Sequence, residues 1–169
     1  EHAGRLRLGI SVTRAMQVMP LVMPVFQQQY PNVTLQLTES GSANLEELLR
    51  GGSIDLAFAA LESTSPSLAY ELLEKETIGV LAGRDTAVAK QTPSGTALPL
   101  EAFRSENFVS LTKGHSSRIT QDKLFRKYGL TPNILLETDA LEVGRRVALE
   151  AGACMLLPNI YIDNYCGQR

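Results

Sequence analysis

A chain of 169 residues, 44% hydrophobic and 20% charged, has the composition of an ordinary globular protein, enough for one domain or two small lobes, and excludes a disordered or fibrous chain. Sixteen basic against eighteen acidic residues leave a net charge of −2 with no run of basic residues, a poor charge for a nucleic-acid surface. No stretch approaches the roughly 18 consecutive apolar residues of a membrane span.

Residues 5–12 open the chain as a strand, with Leu6, Leu8 and Ile10 alternating with Arg5, Arg7 and Gly9. Ser11, Val12 and Thr13 bring hydroxyls and free amides to a helix start. Val18, Leu21, Val22 and Val25 then fall on one helical face. Pro20 and Pro24 conflict with a straight helix, so a short turn up to Met19, a helix from near Pro20 and a kink at Pro24 are expected. The Tyr30-Pro31 step ends it. Val33, Leu35 and Leu37 alternate with polar residues in a second strand. Leu45, Leu48 and Leu49 mark a helix that Gly41 and Ser42 start and Gly51-Gly52 stop. Residues 54–60 are apolar except for Asp55 and read as a strand buried on both faces, with Asp55 bonding nearby amides at its start.

Residues 68–82 are mostly extended and end in an apolar run. Residues 84–99 read as loop with one weak turn and as the best place for a lobe boundary. A short helix at most covers residues 100–103. A strand follows at residues 107–111, then a polar loop to Ser117, in which Ser116 or Ser117 caps the next helix. Ile119, Leu124, Phe125 and Tyr128 supply that helix's apolar contacts and Gly129 ends it. A strand over residues 134–136, a helix over 141–150 stopped by Gly152, and a strand over 154–157 closed by Pro158 complete the pattern. The last residues look like the start of a helix. Cys154 packs as a small hydrophobe and Cys166 lies in a polar tail. Two such cysteines are no disulfide framework and fit a reducing cytoplasm.

Strand–helix–strand units thus occur on both sides of residues 84–99. In open α/β sheets, ligands sit beyond the carboxyl ends of strands, at helix N-termini. Those ends carry Ser11, Thr13, Ser42, Thr112, Lys113 and Thr138, which suit a small polar or anionic molecule. Ser11 and Thr13 read equally as plain helix caps, and Ser40 and Ser42 rather more so. Lys113 is the cation best placed for a carboxylate, against the plainer reading of a solvated lysine. Arg118 reads as a structural partner of a carboxylate, and His115 as an exposed loop histidine. The only other histidine is His2, and no G-x-S-x-G, glycine-rich phosphate loop or metal-ligand cluster is present. No catalytic residue, cofactor or metal is expected.

Gly4-Arg5-Leu6-Arg7-Leu8-Gly9, Pro20, Phe26, Tyr30-Pro31, Glu39 and Gly52-Ser53-Ile54-Asp55-Leu56-Ala57 together resemble the regulatory domain of LysR-type transcriptional regulators. Leu73, Glu76, Arg118, Phe125, Gly129, Glu137, Ala151-Gly152 and Leu156-Leu157-Pro158 extend the likeness along nearly the whole chain in the family's order. The resemblance implies two Rossmann-like lobes of the periplasmic-binding-protein type II fold, residues 1–82 plus 157–169 and residues 83–156, with a small effector bound between them. It also implies a winged helix-turn-helix, absent from this chain, that binds DNA, a homodimer or homotetramer that pairs the first helix with a second-lobe helix, and a cytoplasmic location. The chain departs from the pattern at Thr86-Ala87-Val88-Ala89, where the family has His-Pro-Leu-Ala, at Pro24, and in ending at Arg169, before the family's last strand and helix. The alternative on the same fold is a periplasmic solute-binding protein that feeds a transporter.

Overall fold

Burial deepens along the first strand, β1 (Gly4–Ile10), from exposed Gly4 to fully buried Ile10, because β1 is the middle strand of its sheet. The computed structural model describes residues 4–60 and 65–162, which form two compact units that divide between Glu71 and Leu72.

In the first unit, β1 lies between β2 (Val33–Glu39) and β3 (Leu56–Phe58), parallel to both, with Leu8 opposite Leu37 and Leu56. Helix α1 (Val12–Gln29) joins β1 to β2, and α2 (Ser42–Arg50) joins β2 to β3. The helix start expected near Pro20 is corrected: α1 runs unbroken from Val12 with both prolines inside it. Pro20 and Pro24 lie four residues apart, on one exposed side. The carbonyls they leave without an i+4 donor belong to Met16 and Pro20, which are exposed. The expected inner face is corrected as well. Ala15 and Met19 are buried, with Met23 partly so, against Leu8, Ile10, Leu35 and Phe58. Leu21, Val22 and Val25 face outward, and with Phe26 and Gln29 they line an open apolar groove.

Helix α2 buries Leu45 and ends in a Schellman turn, with Gly52 at φ 68°, Gly52 N–H on Leu49 O (3.0 Å) and Ser53 N–H on Leu48 O (2.9 Å). Strand β3 is shorter than residues 54–60 and is not buried on both faces. Leu56 is 47% exposed, because β3 is an edge strand among the described residues. Asp55 precedes it and accepts the Arg7 backbone N–H at 2.8 Å, as the sequence suggests.

The second unit holds a sheet ordered β4 (Ile78–Ala82), β7 (Cys154–Pro158), β5 (Asn107–Leu111), β6 (Asn133–Thr138). Strand β4 is antiparallel to β7, whereas β5 runs parallel to both β6 and β7. Every ladder partner of β4 is in β7, including Leu157 and Pro158, so β4 belongs with the unit that begins at Leu72. Helix α4 (Ser116–Lys127) links β5 to β6, and α5 (Leu141–Glu150) links β6 to β7. Every residue of β7 is buried, as the centre of this unit requires. Phe108 of β5 meets Phe125 of α4 edge to face at 5.0 Å, a geometry worth about 0.5–1.5 kcal/mol beyond the buried area.

The inward face of α4 is Gln121 and Phe125, not Ile119 and Tyr128, which are exposed. Buried Gln121 is satisfied by donating to the buried Ser110 hydroxyl at 2.8 Å. The weak turn in residues 84–99 is a short helix, α3 (Ala87–Gln91). Its first amides are capped by the Thr86 hydroxyl (Ala89 N–H, 3.1 Å) and by the buried Glu106 carboxylate (Val88 N–H, 2.8 Å). A 3-10 turn follows at Leu100–Phe103. Cys154 is fully buried, and burial, helped by Glu106, pushes its thiol up to about 12, so it packs as an inert hydrophobe. A helical turn begins at residue 160, whereas Cys166 and His2 lie outside the described residues. No helix among the described residues is long and apolar enough to cross a membrane.

Candidate functional site

Because β1, β2 and β3 are parallel, the loops that follow them leave from one edge of the first sheet. Ser11 is the N-cap of α1 in an extended conformation, but its side chain makes no capping hydrogen bond. Thr13 sits in the first turn with no hydrogen bond to its hydroxyl among the described residues. The plain capping explanation for Ser11 is therefore not realised, and both hydroxyls lie beside the first amides of an 18-residue helix with no hydrogen-bond partner among the described residues. Ser42 is not the cap of α2, which is Gly41; its hydroxyl accepts the Ala60 N–H at 3.2 Å and ties the loop after β3 to α2. Ser40 does not cap either, and accepts from the Asn44 amide at 2.8 Å.

The second unit repeats this arrangement at the ends of β5 and β6. The Thr112 N–H reaches Thr138 O at 3.1 Å, which carries the ladder one residue beyond β5 and sets the two candidate threonines side by side. The Thr112 hydroxyl donates to the Asp139 carboxylate, and the Thr138 hydroxyl accepts the Ala140 N–H at 3.2 Å. Lys113 and Gly114 form a tight turn closed by His115 N–H on Thr112 O (3.3 Å), with Gly114 at φ 94°. A positive φ at that third turn position is where glycine is favoured. Lys113 is exposed on this turn.

His115, not Ser116 or Ser117, is the N-cap of α4, again without a side-chain cap. It is half-buried rather than exposed, and its Nδ1 is shut away without a partner. Burial lowers its pKa from the ordinary 6.5, with the Asp139 charge acting in the opposite direction. Arg118 does make the structural pairing read from the sequence. Its guanidinium, 11% exposed, donates to Asp122 (2.8 Å), Glu137 (2.6 Å) and Leu111 O (2.8 Å). It thereby joins the ends of β5 and β6 to the first turn of α4.

Ser11, Thr13 and Ser42 thus belong to the first unit, and Thr112, Lys113 and Thr138 to the second. Asp139 is the functional candidate that residue-by-residue reading passes over. Its partnership with Thr112 becomes visible only when β5 and β6 are placed side by side in register.

Parallel strands that end in hydroxyl-bearing loops, each feeding a helix, are the arrangement beside which open α/β proteins place their ligands. Over residues 1–169 the chain matches the family model described as LysR substrate binding domain, and it belongs to that family. It is 29% identical over 157 residues to the uncharacterized HTH-type transcriptional regulator YybE of Bacillus subtilis, covering 93% of this chain and 52% of that protein. A putative LysR family transcriptional regulator from Pseudomonas aeruginosa superposes with a TM-score of 0.79 at 25% identity, covering 92% of this chain and 56% of that one. The effector binding domain of QuiR, solved in complex with shikimate, shares the fold with a TM-score of 0.80 at 16% identity, over 93% of this chain and 74% of that chain. The chain spans about half the length of the curated relative it matches.

Proposed function

We propose that this chain senses a small polar or carboxylated effector for a cytoplasmic LysR-type regulator and carries out no catalysis itself. The observation that carries this reading is the pair of hydroxyls, Ser11 and Thr13, without a hydrogen-bond partner among the described residues, at an uncapped helix start in a chain that matches the LysR substrate binding domain throughout. The candidate effector contacts are Ser11, Thr13 and Ser42 in the first unit and Thr112, Lys113 and Thr138 in the second. A ligand shifts a conformational equilibrium by no more than its difference in affinity between the two states. DNA is contacted through a winged helix-turn-helix elsewhere in the full regulator, in keeping with the net charge of −2 here. The outward apolar face of α1, with Leu21 76% and Val25 55% exposed, supports a homodimer or homotetramer.

Thermal-shift screening of small carboxylates and polyols tests the reading. A stabilising compound whose shift is smaller in Thr13→Ala or in Thr112→Ala than in the parent is expected. A compound that stabilises both variants as much as the parent rules these residues out as its site.

A further inference from the structure

The end of β6 carries a feature that a plain anion site does not need. A threonine hydroxyl has one proton and two lone pairs. In Thr112 that proton goes to Asp139, so the hydroxyl offers only acceptors to anything else. Asp139 is exposed and adds carboxylate acceptors beside it. Nearby, the Arg118 guanidinium is already engaged by Asp122, Glu137 and Leu111 O, and Lys113 is exposed on the adjoining turn. His115 adds no compensating charge near neutrality, because burial lowers its pKa. A ligand carboxylate set against Thr112 and Asp139 would meet acceptors and a like charge, whereas a hydroxyl or ammonium group would find its partners in place.

We propose that the Thr112–Asp139 pair reads a hydrogen-bond donor on the effector, which makes the effector a hydroxylated or amino-bearing small molecule rather than a plain carboxylic acid. This rests on the effector reading above and names the chemistry of one part of that site.

Titration calorimetry on the full chain with matched acids tests it: shikimate against cyclohexene-1-carboxylate, malate against succinate, and alanine against propionate. Within each pair that binds, the donor-bearing acid should bind about tenfold tighter or more, the scale of one hydrogen bond to a charged acceptor. Asp139→Asn keeps an acceptor for Thr112 and replaces the other oxygen with an NH2 group, so it should bring that ratio toward one without weakening the deoxy acid. Deoxy acids that bind the parent as well as their partners, or an unchanged ratio in Asp139→Asn, would overturn the proposal and leave the effector reading standing. A panel in which no acid binds counts against the effector reading at these loops, and the proposal falls with it.

Discussion

Asp55, just ahead of β3, holds Arg7 of β1 by three hydrogen bonds: from the backbone N–H at 2.8 Å, from Nε at 3.1 Å and from Nη2 at 2.5 Å. The same guanidinium donates through Nη1 to Gly52 O at 2.6 Å, so one side chain joins the middle strand to the Schellman turn that ends α2. The pair locks the register of the edge strand β3 against β1, where the ladder itself is only three residues long.

These bonds from Arg7, side chain first and then backbone, lower the Asp55 pKa from 3.8 to about 2. A carboxylate whose pKa is depressed on folding stabilises the fold above its unfolded value and loses that contribution as pH falls through the folded one. Stability should therefore decline between about pH 4 and pH 2 in the parent. Asp55→Asn should be less stable at neutral pH and show a flatter decline over that window. Urea midpoints measured across the acid range check this.

Gly83 follows β4 and donates its N–H to Ala153 O at 2.9 Å. A methyl group there would lie 2.5 Å from Ala148 O and 3.0 Å from Gly152 Cα and Leu149 O, all backbone atoms at the end of α5. Since backbone cannot swing aside as a side chain can, Gly83→Ala should cost about 1–3 kcal/mol of stability or more. Chemical denaturation would detect it. An unchanged midpoint would mean that the close approach of β4 and α5 is not a constraint.

Thr13→Ala and Thr112→Ala each remove one polar contact, at sites that are not buried. Affinity for the effector should fall by roughly threefold to tenfold, the scale of a single hydrogen bond, with little change in thermal midpoint. Titration calorimetry with a compound found by thermal shift measures the first, and its absence from both variants would move the site elsewhere.

Leu21 and Val25 stand on the outward face of α1, away from the buried Ala15 and Met19. Leu21→Glu and Val25→Lys should leave the monomer folded and weaken self-association, because each puts a charge into an apolar contact. Sedimentation velocity over a range of concentrations reads the shift. Unaltered association would place the interface on another face.

Much of this was legible along the chain. The alternation of Leu6, Leu8 and Ile10, the leucines of α2, the glycines after α2, α4 and α5, and the order of strands and helices all follow from local periodicity and turn chemistry. So do the strand ends that carry the candidate residues, since they are found by counting along the α/β units. The pairing of Arg118 with a carboxylate was also legible, because an arginine one turn inside a helix seldom goes unpartnered.

What stayed hidden depends on neighbours far along the chain. Helix α1 has two apolar faces, and the sequence does not say which one meets β1. The sheet chose Ala15 and Met19 and left the more conspicuous valines and leucine outside. Strand β3 reads as fully buried because it is apolar, yet strand order places it at an edge. Gln121 reads as surface until the Ser110 hydroxyl is brought beneath it. Asp139 reads as a loop residue until the register of β5 and β6 sets it against Thr112. Element type and order are decided within a few residues by backbone sterics and side-chain period, and the sequence determined them alone. Which face is inside, which strand is an edge and which hydroxyl keeps its proton are decided by contacts between distant segments, and only the tertiary structure decided those.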